Sequence, residues 1–515
     1  MHPFRVAFLA AVLLALPGCK PQAPPRPHPI VLIGIDGGEW KVIHKLWSEG
    51  RLPNLKALAG RGVTATLRTA YNSSPVIWTT IATGVTPREH GIVDFVVPTP
   101  QGDVPISSDV RKVPAIWNML TQAKRRVNVF GWWGSWPAEE INGVVVTDRA
   151  LLDLDRRVSP ASYLPTFQQE VRRARQEPSL FGAEDEAEMR DRAIARAAVT
   201  LAGKPFDLHL VYFRSPDIIS HNYWKYYEPD DPRELTENRD RVPHSYEAVD
   251  QALGRILAAA PKDSNVLVIS DHGFHAANPE EVKVLLDMDA VLERLGYLKR
   301  NGRAVDFSQT RVYTYGTPSF RQVKLLRFSL AGREKGGRVR PAERDALLKQ
   351  LSSDLKAVTY ESGAPALTLR EARGREVKEG ADFAVVVQLE GVSPTLKLRG
   401  ERIEGAIESV SRISGTHTRN SHGIFLAAGP DVDPAAKLEG IRVHDITPTL
   451  LFGLGLPVAE NFAGKARTDL FTAAFREAHP LQTIRTWGTR RSAGARTSKE
   501  DEKLLEELRA LGYIN

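Results

Sequence analysis

The stretch Ile30-Val31-Leu32-Ile33-Gly34-Ile35, followed by Asp36-Gly37-Gly38, decides the fold of this 515-residue chain. A continuous apolar run rich in β-branched residues, with no polar alternation, reads as a strand covered on both faces, the habit of a strand inside a parallel sheet. Two runs share its texture, Leu208–Phe213 (LHLVYF) and Asn265–Ser270 (NVLVIS), and a fourth lies at Gly423–Ala428 (GIFLAA). Helical patterns over residues 53–60, 75–83, 184–201 and 245–259 separate them. This alternation predicts a doubly wound, mostly parallel α/β sheet flanked by helices.

The texture changes between residues 300 and 410, where charged, glycine-bearing stretches such as Gly332–Arg340 alternate with short strand-like pieces such as Phe383–Leu389. We read 300–410 as an inserted α+β cap, 29–299 and 411–475 as the core, and 476–515 as a C-terminal tail. The tail ends in a helix: Thr497-Ser498-Lys499-Glu500 has the capping-box pattern, Leu504, Leu508 and Leu511 follow at helical spacing, and Gly512 stops it. Its leucines are expected to dock on the body, with a partner-binding face as the alternative.

A composition 42% hydrophobic and 25% charged is ordinary for a globular protein and sufficient for a large core. No period of solenoid length repeats. The net charge of +7 is a weak surplus for this length, and no Lys/Arg-dense block with interleaved aromatics suggests a nucleic-acid groove, whereas a small anionic substrate is compatible.

Residues 1–19, MHPFRVAFLAAVLLALPGC, combine a basic residue, a short apolar run and Leu16-Pro17-Gly18-Cys19. The run is too short to span a bilayer but suits a secretory signal, so 1–18 are expected to be a leader. Its ending resembles a bacterial lipobox, with Pro17 an unusual choice inside it. That resemblance implies lipidation at Cys19 and a membrane partner through the anchor; Lys20 after it points to the outer membrane, facing the periplasm. The proline-rich segment 19–28 suits an extended tether. Cys19 is the chain's one cysteine, which excludes disulfides and a cysteine-ligated zinc site.

In an open parallel sheet, ligands gather beyond the carboxyl ends of the strands. Asp36 follows the first run; Asp217, spaced four from His221, follows the second; Asp271 and His272 follow the third. Any one of these has a dull explanation as a helix cap or a core histidine. Together they concentrate the oxygen and nitrogen donors that a zinc-like ion requires. Ser74, ahead of Pro75 at the start of a helical run to Thr83, is the candidate nucleophile. It reads as an N-cap at the positive, anion-binding end of that helix, and a metal would activate its poorly nucleophilic hydroxyl.

The ordered motifs IGIDGGEW (33–40), SSPVIWTTIATGVTPREHGIVDF (73–95), YFRSPDIISHNYW (212–224), VISDHGF (268–274) and GTHTRNSHGIFLAAGP (415–430) resemble the alkaline phosphatase superfamily. They look closest to its type I phosphodiesterase/nucleotide pyrophosphatase-like branch, as do GWWGSWPAEEINGVVVTDR (131–149) and the stretch with AGREKGG, so the likeness covers most of 29–470. The resemblance implies an alkaline phosphatase-like fold and two divalent metal ions, zinc foremost, with manganese as the alternative. One ion would take Asp36, Ser74, Asp271 and His272, and the other Asp217, His221 and His417, with His422 competing for the last place. His90 in TPREHGI would organise its loop. The implied activity is phosphoester hydrolysis through a phosphoseryl intermediate, on a small-molecule, lipid or nucleotide phosphoester. Phosphoryl transfer to an alcohol, or a non-catalytic envelope lipoprotein, are the rivals. Two departures matter. Phe95 stands where the nucleotide pyrophosphatases have an Asn, so nucleotide specificity does not carry over. Ser73-Ser74-Pro75-Val76-Ile77 lacks the Arg of a sulfatase box.

Overall fold

The computed structural model describes residues 26–99, 102–179, 186–227, 237–277, 282–302, 304–315, 323–373, 375–378, 380–412, 414–511 and 513–514. The expected leader of residues 1–18, Cys19 and most of the 19–28 tether lie outside the described residues. Among those described, no helix is long and apolar enough to cross a membrane.

The central sheet has eight strands: β1 (Ile30–Ile35), β2 (Val63–Leu67), β3 (Val127–Phe130), β4 (Gly143–Val146), β5 (Val158–Ser159), β6 (Leu208–Phe213), β7 (Asn265–Ile269) and β8 (Gly423–Ala428). Their spatial order is β2-β8-β7-β1-β6-β3-β4-β5. From β7 to β4 neighbours are parallel, so the fold is α/β with a mostly parallel sheet. β5 pairs antiparallel to β4 at one edge, and β2 antiparallel to β8 at the other.

β8 corrects the uniform reading of the apolar runs, because it runs antiparallel to β7 despite sharing the texture of the parallel strands. Phe425 and Ala427 face one core while Ile424, Leu426 and Ala428 face the other. An apolar run reports that both faces are covered, and it carries no information about direction.

Helices clothe both faces. They are α1 (Trp40–Ser48), α2 (Pro53–Ala59), α3 (Ser74–Thr83), α4 (Ile116–Gln122), α5 (Leu164–Gln176), α6 (Glu186–Ala202), α7 (Ser215–Tyr227), α8 (Arg241–Ala259), α9 (Ile446–Gly453) and α10 (Asp501–Leu511). Strand alternation sends Val31, Ile33 and Ile35 of β1 into one core with α1, α2, α5, α6 and α8, and Ile30 and Leu32 into the other with α3, α4 and α9. Each such side chain, fully buried, contributes about 1.5–3 kcal/mol. α8 starts at Arg241, ahead of the expected residue 245, since Pro243 is tolerated in a first turn where its missing N–H costs no bond.

A third apolar cluster runs from Leu286 to Ala406. It combines a four-stranded antiparallel sheet (Val312–Thr314, Val323–Phe328, Phe383–Val387, Leu367–Glu371) with the helix Arg344–Lys356, whose Leu347, Leu351 and Leu355 are buried. Where this lobe leaves and rejoins the core, Val282–Leu286 pairs antiparallel with Ile407–Arg412. At the C terminus, Leu508 of α10 packs with Phe95, Val96, Tyr513 and Ile514.

Besides His272 of the sheet edge, two histidines among the described residues are fully buried. His209 of β6 lies between Phe130 and Phe206, with ring centroids 5.2 and 5.1 Å away. His90 accepts the Ile92 N–H at Nδ1 (3.2 Å), so its Nε2 carries the proton and donates to Thr80 Oγ1 (3.0 Å), whose own hydroxyl donates to the Val76 carbonyl. Burial lowers both to about 3, with Arg111 adding to the effect at His90. The unfolded chain takes up these protons below about pH 6.5 while the native state refuses them until about pH 3, so acidification favours unfolding. The slope reaches about 1.4 kcal/mol per pH unit for each histidine. Thermal melts between about pH 7 and pH 4.5 should therefore show a falling midpoint, and His209→Leu should make the fall shallower. A slope unchanged in the variant would contradict this account.

Candidate metal centre and active site

Three strands deliver carboxylates to one edge of the sheet. Asp36 directly follows β1 and is buried, and the chain turns sharply behind it at Gly37 (φ +66°). A Cβ on Gly37 would lie 3.1 Å from Asp217 Cα, so the pairing of Asp36 and Asp217 across this turn requires glycine. The Gly37 N–H donates to Asp271 Oδ1 (3.3 Å), and the Gly38 N–H to Ser270 Oγ (2.9 Å). β6 leads into α7, whose first turn holds Asp217. One turn later His221 shares its face, and Nε2 approaches Asp217 Oδ1 at 3.4 Å. Asp271 and His272 follow β7 after Ser270.

His417 arrives from the opposite chain direction. Because β8 is antiparallel, its amino end lies at the edge where β1, β6 and β7 have their carboxyl ends, and the loop before it reaches the same place. Gly415-Thr416 pairs antiparallel with His275-Ala276, which pins that loop to the Asp271-His272 segment. The His417 ring stacks on His272 with centroids 3.6 Å apart. His422 belongs to neither ligand group and is partly exposed.

The donors fall into two groups, Asp36 with Asp271 and His272, and Asp217 with His221 and His417, each with its ligand atoms within 4.8 Å of one another. The groups adjoin, His272 Nε2 being 3.8 Å from Asp217 Oδ1. Ser74 Oγ lies 3.4 Å from His272 Nε2. One expectation is corrected here: Ser73 holds the N-cap position and Ser74 is the first residue of α3, with Pro75 second and no side-chain cap bond. The N–H groups of both opening positions lack intrahelical partners, so proline fits either, and the serine hydroxyl is left to face the histidine.

The chemistry of this donor set fits cations. Asp36 Oδ1, Asp217 Oδ1, Asp271 Oδ2 and His221 Nε2 are buried without a hydrogen-bond partner. His221 Nδ1 donates to the Gly415 carbonyl (3.1 Å) and His272 Nδ1 to the Gly273 carbonyl (3.0 Å), which leaves both Nε2 lone pairs facing the carboxylates. Burial and the charge of Asp217 raise Asp36; burial and Asp36 hold Asp271 well above the usual carboxylate range. Asp217 moves down, since His221, His272 and His417 outweigh its burial. Burial, with His272 and His221, depresses His417 and keeps it neutral. A serine–histidine–carboxylate triad does not describe the site. Asp36 and Asp271 approach His272 at the nitrogen that faces Ser74, while Nδ1 binds a backbone carbonyl.

Supporting residues escaped the sequence reading. Tyr212 Oη and Trp133 Nε1 (3.5 Å) both donate to Asp36 Oδ2. Glu39 caps α1 by accepting the Lys41 N–H, and its other oxygen takes the Phe274 N–H at 3.0 Å, clamping the strap after His272. Tyr513 donates to Asp217 Oδ2. Tyr212 sits inside a quoted motif; Tyr513, nearly 300 residues from its partner, has no local signal. His90 lies away from both groups, in the hydrogen-bonded loop described above.

A family model described as type I phosphodiesterase/nucleotide pyrophosphatase matches residues 30–403. A 2,3-bisphosphoglycerate-independent phosphoglycerate mutase of Roseobacter denitrificans is 26% identical over 170 residues, 30% of each protein, so the chain spans about a third of that relative's length. Murine and human ectonucleotide pyrophosphatase/phosphodiesterase 5 align over 86% of this chain and 100% of theirs, at 16% identity and TM-scores of 0.47 and 0.48. An inactive variant of the murine protein in complex with AMP aligns at 17% identity and a TM-score of 0.47. With the family model covering well over half of its length, the chain belongs to the type I phosphodiesterase/nucleotide pyrophosphatase family.

Proposed function

We propose that the protein is a metal-dependent phosphoester hydrolase acting through a phosphoseryl intermediate at Ser74, held in the bacterial cell envelope by a lipid on Cys19. One observation carries the catalytic part. The Ser74 hydroxyl, at the amino end of α3, meets His272 at the junction of two adjoining ligand groups in which Asp36 Oδ1, Asp217 Oδ1, Asp271 Oδ2 and His221 Nε2 are buried without a hydrogen-bond partner. Two divalent ions of the zinc type, one taken by Asp36, Asp271 and His272 with Ser74 and one by Asp217, His221 and His417, would supply Lewis-acid polarisation and charge neutralisation there.

The chain's own part is positional and electrostatic. The N-terminal turn of α3 presents backbone N–H groups and the positive end of the helix dipole to an anionic phosphoryl group. The bond from Ser74 Oγ to phosphorus forms as the bond to the leaving oxygen breaks, and the serine proton ends on the departing alcohol. Water then forms its bond to phosphorus, the seryl bond breaks, and one water proton restores the hydroxyl. Phosphoryl transfer is the second reading, favoured by the likeness to a mutase; it keeps the seryl intermediate and puts an alcohol in place of water.

Elemental analysis of untagged protein purified without chelator should find close to two divalent transition ions per chain. Full activity in metal-free protein would sink the mechanism. Ser74→Ala should abolish hydrolysis of aryl phosphate mono- and diesters, while fold and most of the metal persist, since six of the seven proposed ligands remain. Ser74→Thr should keep partial activity. Normal turnover by folded Ser74→Ala would refute the nucleophile and make Ser73 the next residue to test. Adding an alcohol acceptor to the assay separates the two readings by product. For the location, the wild type should fractionate with membranes and Cys19→Ser should not; a wholly soluble wild type rejects the anchor.

A further inference from the structure

The C-terminal tail reaches the centre itself. Beyond α10 the chain folds back, the Tyr513 N–H donating to the Leu508 carbonyl (2.8 Å), and Tyr513 is buried at 4% exposure. Its ring stacks on Phe95 with centroids 4.5 Å apart and planes 8° from parallel, and meets His221 edge-on at 5.4 Å. Its hydroxyl donates to Asp217 Oδ2. Asp217 Oδ1 makes no hydrogen bond and faces His221 Nε2 at 3.4 Å. The two oxygens of Asp217 thus have separate duties, one tied to the tail and one turned into the ligand group.

The seating of the tail is charge-complementary as well as apolar. α10 carries Asp501 to within 3.8 Å of the buried Arg149, and Glu507 lines a cleft with Arg149, Arg190, Arg214, Phe95 and Trp133. On the outer side Lys499 pairs with Asp153 and Lys503 with Glu186. Leu508 and Ile514 complete the contact on Phe95 and Val96. An acidic inner face against arginines, and lysines against surface carboxylates, fix one orientation for a helix whose last residues must place a phenol on Asp217.

We propose that the C-terminal tail is part of the active site and that Tyr513 is a positioning residue for Asp217, fixing the carboxylate so that Oδ1 is presented to the metal shared with His221 and His417. This rests on the metal-dependent reading above and adds to it that the site is incomplete without α10 and Tyr513. Supporting hydrogen bonds of this kind are worth about 10–100-fold in metal affinity or activity when removed.

The test uses the full chain and Tyr513→Phe, which keeps the stack on Phe95 and deletes only the hydroxyl. Expected are an unchanged melting temperature, zinc affinity at one of the two sites lowered about tenfold or more in competition with a chelator, and a lower kcat on a diaryl phosphate with KM unchanged. Full zinc affinity together with full kcat would overturn the inference and leave Tyr513 a packing residue. A chain ending at residue 496 that turns over faster than wild type would also overturn it, since the tail would then be a plug. Because zinc affinity is read without turnover, a wild type that binds two zinc ions but hydrolyses no ester would defeat the hydrolase reading alone; weakened zinc binding in Tyr513→Phe would still support the role of Tyr513.

Discussion

Three carboxylates brought together in a buried space are the constraint around which the rest of the structure is arranged. At about 4 Å and an effective dielectric near 20, each pair of like charges costs about 4 kcal/mol, beyond the loss of hydration. The chain answers part of this with neutral donors, the phenols of Tyr212 and Tyr513 and the indole of Trp133, each placed on an outward oxygen of Asp36 or Asp217. It leaves Oδ1 of both residues, and Oδ2 of Asp271, without such a donor. A scaffold that satisfies one set of oxygens and leaves the other bare is organised for a cation, since filling the bare set with further donors would have been the less costly way to bury the same carboxylates.

The sheet makes that concentration possible. Parallel strands present all their carboxyl ends at one edge, which brings Asp36, Asp217 and Asp271 together from positions scattered over more than 200 residues. A β8 parallel to the five strands from β7 to β4 would have sent the loop carrying His417 to the far edge. Reversing β8 solves this: the connection through the lobe between Leu286 and Ala406 returns the chain at the ligand edge, and His417 enters just before the strand begins. The antiparallel direction of β8 is therefore a condition of the second ligand group.

What could be read from the sequence follows the range of the forces involved. IVLIGID, YFRSPDIISH and VISDHGF each join a strand to its chemistry within a few residues, so local pattern shows them. The spacing of Asp217 and His221 reads directly as one helix face. Ser74 was legible as the residue opening a helix, but whether it caps that helix or begins it depends on which of two unpaired positions Pro75 takes, and composition does not distinguish them. The direction of β8 was hidden because burial alone sets its texture. Tyr513 and Trp133 were hidden because their roles arise from tertiary contact with carboxylates far away in sequence, and an aromatic residue beside glycine or leucine has ordinary packing explanations.

Charge also links the cofactor to the substrate. On the metal-dependent reading, an anionic phosphoester meets a metal-free site lined by three aspartates and by histidines of which His417 is held neutral, while Arg214 lies over the ring of Trp133, whose indole donates to Asp36. On that reading, two divalent ions would reverse the sign of that site. The same event that satisfies the bare oxygens then creates the attraction for phosphate, so metal occupancy should govern substrate binding as well as turnover. The phenol of Tyr513 serves this arrangement well because it is neutral: it holds Asp217 in place without adding to or subtracting from the charge that the metals and the phosphoryl group must balance.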